Sequence, residues 1–102
     1  MSLLTTRGKV RAGNGTLTVV AQGSFTYDPS NLVDGAGETS SSVTVTGAAL
    51  GDFVMIAAPY DLQGITVTAY VSAANTIVVR VQNESGGTLN LASGSWKYKV
   101  IR

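Results

Sequence analysis

The chain of 102 residues contains no cysteine and no histidine. Without cysteine there is no disulfide scaffold, no thiolate metal site and no sulfur nucleophile. Without histidine the commonest general base and the commonest transition-metal ligand are both missing. Charge is scarce too: Asp, Glu, Lys and Arg make up 13% of the residues and the net charge is +1. That balance gives no electrostatic footprint for nucleic acid or for an anionic membrane. Residues 1–11 lack the apolar core of a signal peptide, and the longest apolar stretch, residues 53–59, is too short to cross a bilayer. A soluble protein made and used in the cytoplasm, with no cofactor, is the expectation.

What is present is a chain 44% hydrophobic with 12 glycines at the usual length of one domain, able to bury roughly two-thirds of its unfolded surface. Its dominant pattern is period-two alternation broken by Gly, Asn, Asp and Pro clusters. Strands are predicted over residues 16–22, 24–27 after a break at Gly23, 38–46, 52–58, 65–71, 77–82 and 96–101. Turns are predicted at Gly13-Asn14-Gly15, Asp28-Pro29-Ser30-Asn31, the Gly47 to Gly51 connection, Ser72-Ala73-Ala74-Asn75 and residues 83–88. No window carries a helical period. The expected fold is all-β, an antiparallel β-sandwich or jelly roll, with residues 13–102 as one domain and residues 1–12 as a short extended N-terminal arm.

Two elements stand out. Phe53, Val54, Met55 and Ile56 are apolar on both strand faces, which predicts a strand covered twice, by two sheets or by one sheet and a neighbouring subunit. In the last strand Trp96, Tyr98 and Val100 point one way while Lys97, Lys99 and Ile101 point the other, an aromatic face to bury and a basic face to show.

Charge is unevenly placed. Arg7, Lys9 and Arg11 lie near the start and Lys97, Lys99 and Arg102 near the end. Arg80 is the one base among Asp28, Asp34, Glu38, Asp52, Asp61 and Glu84. In an extended arm the spacing of Arg7, Lys9 and Arg11 puts all three on one side, suited to an acidic protein surface. The acids suggest no chemistry: Asp52 is placed to cap a turn, and Asp28, Asn31, Asp34 and Glu38 do not have EF-hand spacing. Ser40, Ser41 and Ser42 have no nominated base, Gly13-Asn14-Gly15 is not a phosphate loop, and no two carboxylates form an evident acid/base pair. No catalytic, cofactor-binding or metal-binding residue is nominated, and an enzyme is not expected.

Two stretches resemble a recurrent family of short tailed-phage virion proteins and phage tail-protein domains: Val43-Thr44-Val45-Thr46-Gly47-Ala48-Ala49-Leu50-Gly51-Asp52-Phe53-Val54, and Ala69-Tyr70-Val71-Ser72-Ala73-Ala74-Asn75-Thr76-Ile77-Val78-Val79-Arg80-Val81-Gln82-Asn83 followed by Glu84-Ser85-Gly86-Gly87. Phe25-Thr26-Tyr27-Asp28-Pro29 and Asp34-Gly35 also fit, so the resemblance runs from about Gly23 onward. It implies a virion component: a capsid decoration (cement) protein that binds across major capsid protein subunits, or alternatively a tail fibre or spike module. The expected partners are the major capsid protein or other virion proteins, together with further copies of the chain, a homotrimer being favoured by three-fold docking points on an icosahedral shell. Arg7, Lys9, Arg11, Phe53, Val54, Met55 and Ile56 are the candidate partner-binding residues.

Overall fold

β-Branched residues in alternation build eight strands, here seen in a computed structural model that describes residues 9–12 and 15–102. They are β1 (Lys9–Ala12), β2 (Gly15–Tyr27), β3 (Gly37–Thr39), β4 (Val43–Thr44), β5 (Phe53–Ala57), β6 (Ile65–Ala73), β7 (Thr76–Asn83) and β8 (Gly94–Ile101). All pairings are antiparallel, and no helix occurs among the described residues. One sheet has the order β1-β2-β8-β5. In the other, β7 is flanked by β6 on one side and by the short β3 and β4 on the other. The protein is an all-β sandwich.

The inward faces of the two sheets supply the core. At one end Trp96 and Val79, both fully buried, pack with Tyr27, Leu32, Ile65, Val81 and Leu91. At the other end Val100 and Ile77 pack with Val45, Ala48 and Val71. Trp96 meets Tyr27 and Tyr60 edge to face at centroid separations of 5.4 and 6.0 Å, the arrangement that aromatic quadrupoles favour.

Among the described residues Asn83 is the one buried polar side chain, and it is fully engaged. Its Nδ2 donates to the carbonyls of Leu32 (2.8 Å) and Gly87 (2.9 Å), and its Oδ1 accepts from the Ser85 N–H (2.9 Å) and hydroxyl (2.7 Å). One amide thus fastens the loop after β2 to the loop after β7.

Several expectations are corrected. Gly23 does not break the strand, because β2 runs on to Tyr27 with Gly23 opposite Tyr98. A β-carbon at Gly23 would lie 2.8 Å from the Tyr98 hydroxyl oxygen, so glycine there accommodates a ring instead of making a turn. Residues 38–46 are not one strand. At Ser40 the side-chain hydroxyl accepts the Val79 N–H (2.9 Å) where a backbone carbonyl would continue the ladder, and β3 stops at Thr39. The strand containing Phe53, Val54, Met55 and Ile56 is not covered by two sheets: among the described residues β5 pairs with β8 alone, and Phe53 and Met55 are 65% and 57% exposed on the outer face. Of the expected arm, Lys9–Ala12 is a strand of a hairpin with β2. Arg7 and the turn at Gly13 and Asn14 lie outside the described residues.

Replacing Asn83 by Ala strands the carbonyls of Leu32 and Gly87 and the Ser85 N–H away from their partner. We expect a loss of about 2–4 kcal/mol, seen in urea unfolding as a lower midpoint with unchanged slope.

Candidate assembly surface

The candidate site is the outer face of β2, β8 and β5, and strand alternation creates it. Burying Trp96 and Val100 turns Lys97, Lys99 and Ile101 outward. In register, Ala57 lies opposite Lys97, Met55 opposite Lys99 and Phe53 opposite Ile101, so β5 adds its apolar side chains to the same face. A β-bulge between Val19 and Ala21 changes the phase of β2, leaving Val19 opposite Ile101 and Gln22 opposite Lys99. A groove of about 760 Å³ results, lined by Leu17, Val19, Met55, Ile56, Tyr98 and Ile101 together with Lys97 and Lys99, and no carboxylate lines it.

One corner holds these strands in place. Asp52, immediately before β5, accepts Arg102 Nε on Oδ1 and Arg102 Nη2 on Oδ2, each at 2.9 Å, and its Oδ2 also takes the Ala49 N–H at 2.9 Å. Arg102 Nη2 reaches the Gly47 carbonyl as well (3.2 Å). The Arg102 backbone exchanges hydrogen bonds with Thr18 of β2 at 3.1 and 2.9 Å, so one residue ties β2, β8 and the start of β5 together. The Asp52 side chain is only 6% exposed. The Arg102 hydrogen bond, followed by the Ala49 N–H, holds its carboxyl below the ordinary 3.8.

A second feature is a polar cleft of about 520 Å³ where the end of β2 faces β3 and β4, bordered by Asp28, Glu38 and Ser40–Ser42. Tyr27 donates its hydroxyl to Glu38 Oε2 at 2.7 Å, and the Ser30 N–H donates to the same oxygen at 3.2 Å. Burial acts to raise the Glu38 carboxyl, but the Ser30 and Tyr27 hydrogen bonds outweigh it and the group sits below its ordinary 4.5. Burial first, and then the Glu38 hydrogen bond, push the Tyr27 hydroxyl above its ordinary 10.0. Asp34 is used elsewhere, accepting the Gly86 N–H at 2.9 Å. Among the described residues no three acids converge as a metal cluster.

Of the residues nominated from sequence, Phe53 and Met55 lie on the outer face, while Val54 points inward toward the Val100 end of the core and Ile56 toward the Trp96 end. Lys9 and Arg11 belong to β1, separated from β5 by two strands at the other edge of the sheet, so the two nominated groups do not form one surface. Lys97, Lys99, Ile101, Leu17 and Val19 were not nominated as contacts. The outward phase of the last strand was the signal that marks the first three.

The chain matches no protein-family model, no curated protein and no solved structure.

Both Asp52 and Glu38 have depressed carboxyls in the fold, so the stability they lend is whole above the ordinary carboxylate range and is lost as the pH falls through their folded values. Melting followed by circular dichroism should show the transition temperature falling on acidification. Asp52→Asn should lower it at neutral pH and make the acid-side fall shallower.

Proposed function

We propose that this chain is a structural protein of a tailed-phage virion, a capsid decoration protein that binds across joints between major capsid protein subunits and adds buried contact against the outward pressure of packed DNA. Its action is non-covalent and uses no catalytic step or cofactor. The observation that carries the reading is the apolar, lysine-flanked groove on the outer face, with Phe53 and Met55 presented at full reach. Contiguous apolar surface rimmed by polar groups is the signature of a protein contact. A standard interface takes about 800 Å² from each partner, an area the outer face of one sheet of a 6003 Å² molecule can supply. Lys97 and Lys99 select for an acidic partner surface and steer its approach. The virion assignment itself rests on the resemblance carried by the Val43–Val54 and Ala69–Asn83 stretches, which the fold brings into contact. Asn75 accepts the Gly47 N–H on its side chain (2.8 Å) and exchanges backbone hydrogen bonds with Val45 and Ala48 (each 2.8 Å).

Labelling on intact particles tests the assignment. Many hundreds of copies over the shell support decoration. A few copies at the tail place the chain in a fibre or spike, and absence from particles ends the virion reading. Lys97→Glu combined with Lys99→Glu, and separately Met55→Glu, should each weaken binding to undecorated shells at least tenfold, with melting temperature close to that of the parent because these side chains are exposed.

A further inference from the structure

The two long edges of the sandwich differ. On one side β5 and β6 lie against each other. On the other, β2 pairs with β1 only along Gly15–Thr18, and among the described residues nothing pairs that same edge of β2 from Val19 to Tyr27. This open edge carries neither a charge nor a proline, the usual guards against strand addition. Gln22, Gly23, Ser24 and Thr26 along it are exposed. Beside it lies the cleft bearing Asp28 and Glu38.

The chain also presents a strand in search of support. Pairing of β2 on the β8 side ends at Thr18 with Arg102, so β1 and residues 15–17 continue past it as a two-stranded ribbon. The molecule is correspondingly long, 50 × 27 × 22 Å. A two-stranded hairpin is marginal in water without a further surface. Its strand β1 is itself a sheet edge, and it carries the bases Lys9 and Arg11.

We propose that copies of this chain associate head to tail, the β1 ribbon of one copy pairing along the open β2 edge of the next and setting its bases against the acidic cleft there. Opposite charge selects this pairing over the lysine-flanked groove, which would repel the same ribbon. The contact is heterologous, with a different surface on each side, and such contacts terminate by closing into a ring. A three-membered ring hides every open β2 edge and supports every ribbon. This interface does not depend on the virion assignment; it uses the backbone edge of β2, whose Val19 and Gln22–Ser24 also border the groove, but none of the groove residues of β5 and β8.

Light scattering on the purified full chain tests it. The expected mass is a multiple of 10.5 kDa, three-fold for the closed ring, falling toward a single chain as salt is raised. Ser24→Lys, which puts a charge on the open edge, and the Lys9→Glu, Arg11→Glu pair should each raise the dissociation midpoint at least tenfold. Adding Asp28→Lys to that pair should recover much of the loss. Hydrogen exchange on the unaltered chain gives a readout that needs no variant: on assembly, amides of β1 and of residues 19–26 gain protection while those of β5 do not. A single-chain mass at every concentration overturns the proposal. So does an oligomer left intact by both sets of charge changes, or one that protects β5 and not the β2 edge.

Discussion

A strand in a two-layer sandwich can bury only one of its faces, and in this protein that constraint falls hardest on β8. Trp96 and Val100 must be inside, because they fill the two ends of the core. Their burial fixes the phase of β8, and β8 fixes β5 through a five-residue register that leaves Phe53 and Met55 on the solvent side with Lys97 and Lys99. The apolar outer face is therefore no accident of loop placement. No change of pairing among the described strands hides it while keeping Trp96 in the core.

Around that constraint, hydrogen bonds set where the strands begin and end. Asn75 takes a left-handed conformation (φ 61°) in the β6–β7 hairpin, which asparagine tolerates better than most residues. From there it holds the 45–48 loop by three bonds. That loop leads to Asp52, and Asp52 to Arg102. The path runs from the second sheet to the first through polar contacts at one end of the sandwich, while Asn83 does equivalent work at the other end. With the Arg102 side chain half exposed, the ion pair contributes little by charge alone, and the role of the Asp52–Arg102 contact is to fix geometry.

The strands with clean alternation, β6, β7 and β8, were legible in the sequence, as were the turn role of Asn75 and the capping role of Asp52. The misread elements share one cause: a residue whose local signal was real but served another purpose. Gly23 reads as a break and instead admits the Tyr98 ring. Ser40 reads as part of a strand and instead ends the ladder with its own hydroxyl. The doubly apolar run at Phe53, Val54, Met55 and Ile56 reads as a strand covered twice, since composition does not say which of its faces a second sheet reaches. Leu17 and Val19 join the groove only because a bulge changes the phase of β2, and a bulge leaves no signature in a run of β-branched residues.

Gly23 under the Tyr98 ring also bears on strand register. β2 is long, uncharged at its centre and rich in interchangeable small residues, the kind of strand that can pair one position out of place during folding. Only one alignment sets the Tyr98 ring over a residue with no side chain. A slip of β2 by one position in either direction brings that ring against Gln22 or Ser24 and at the same time turns Phe25 and Tyr27 away from the core. The glycine thus serves as an index mark on an otherwise featureless ruler.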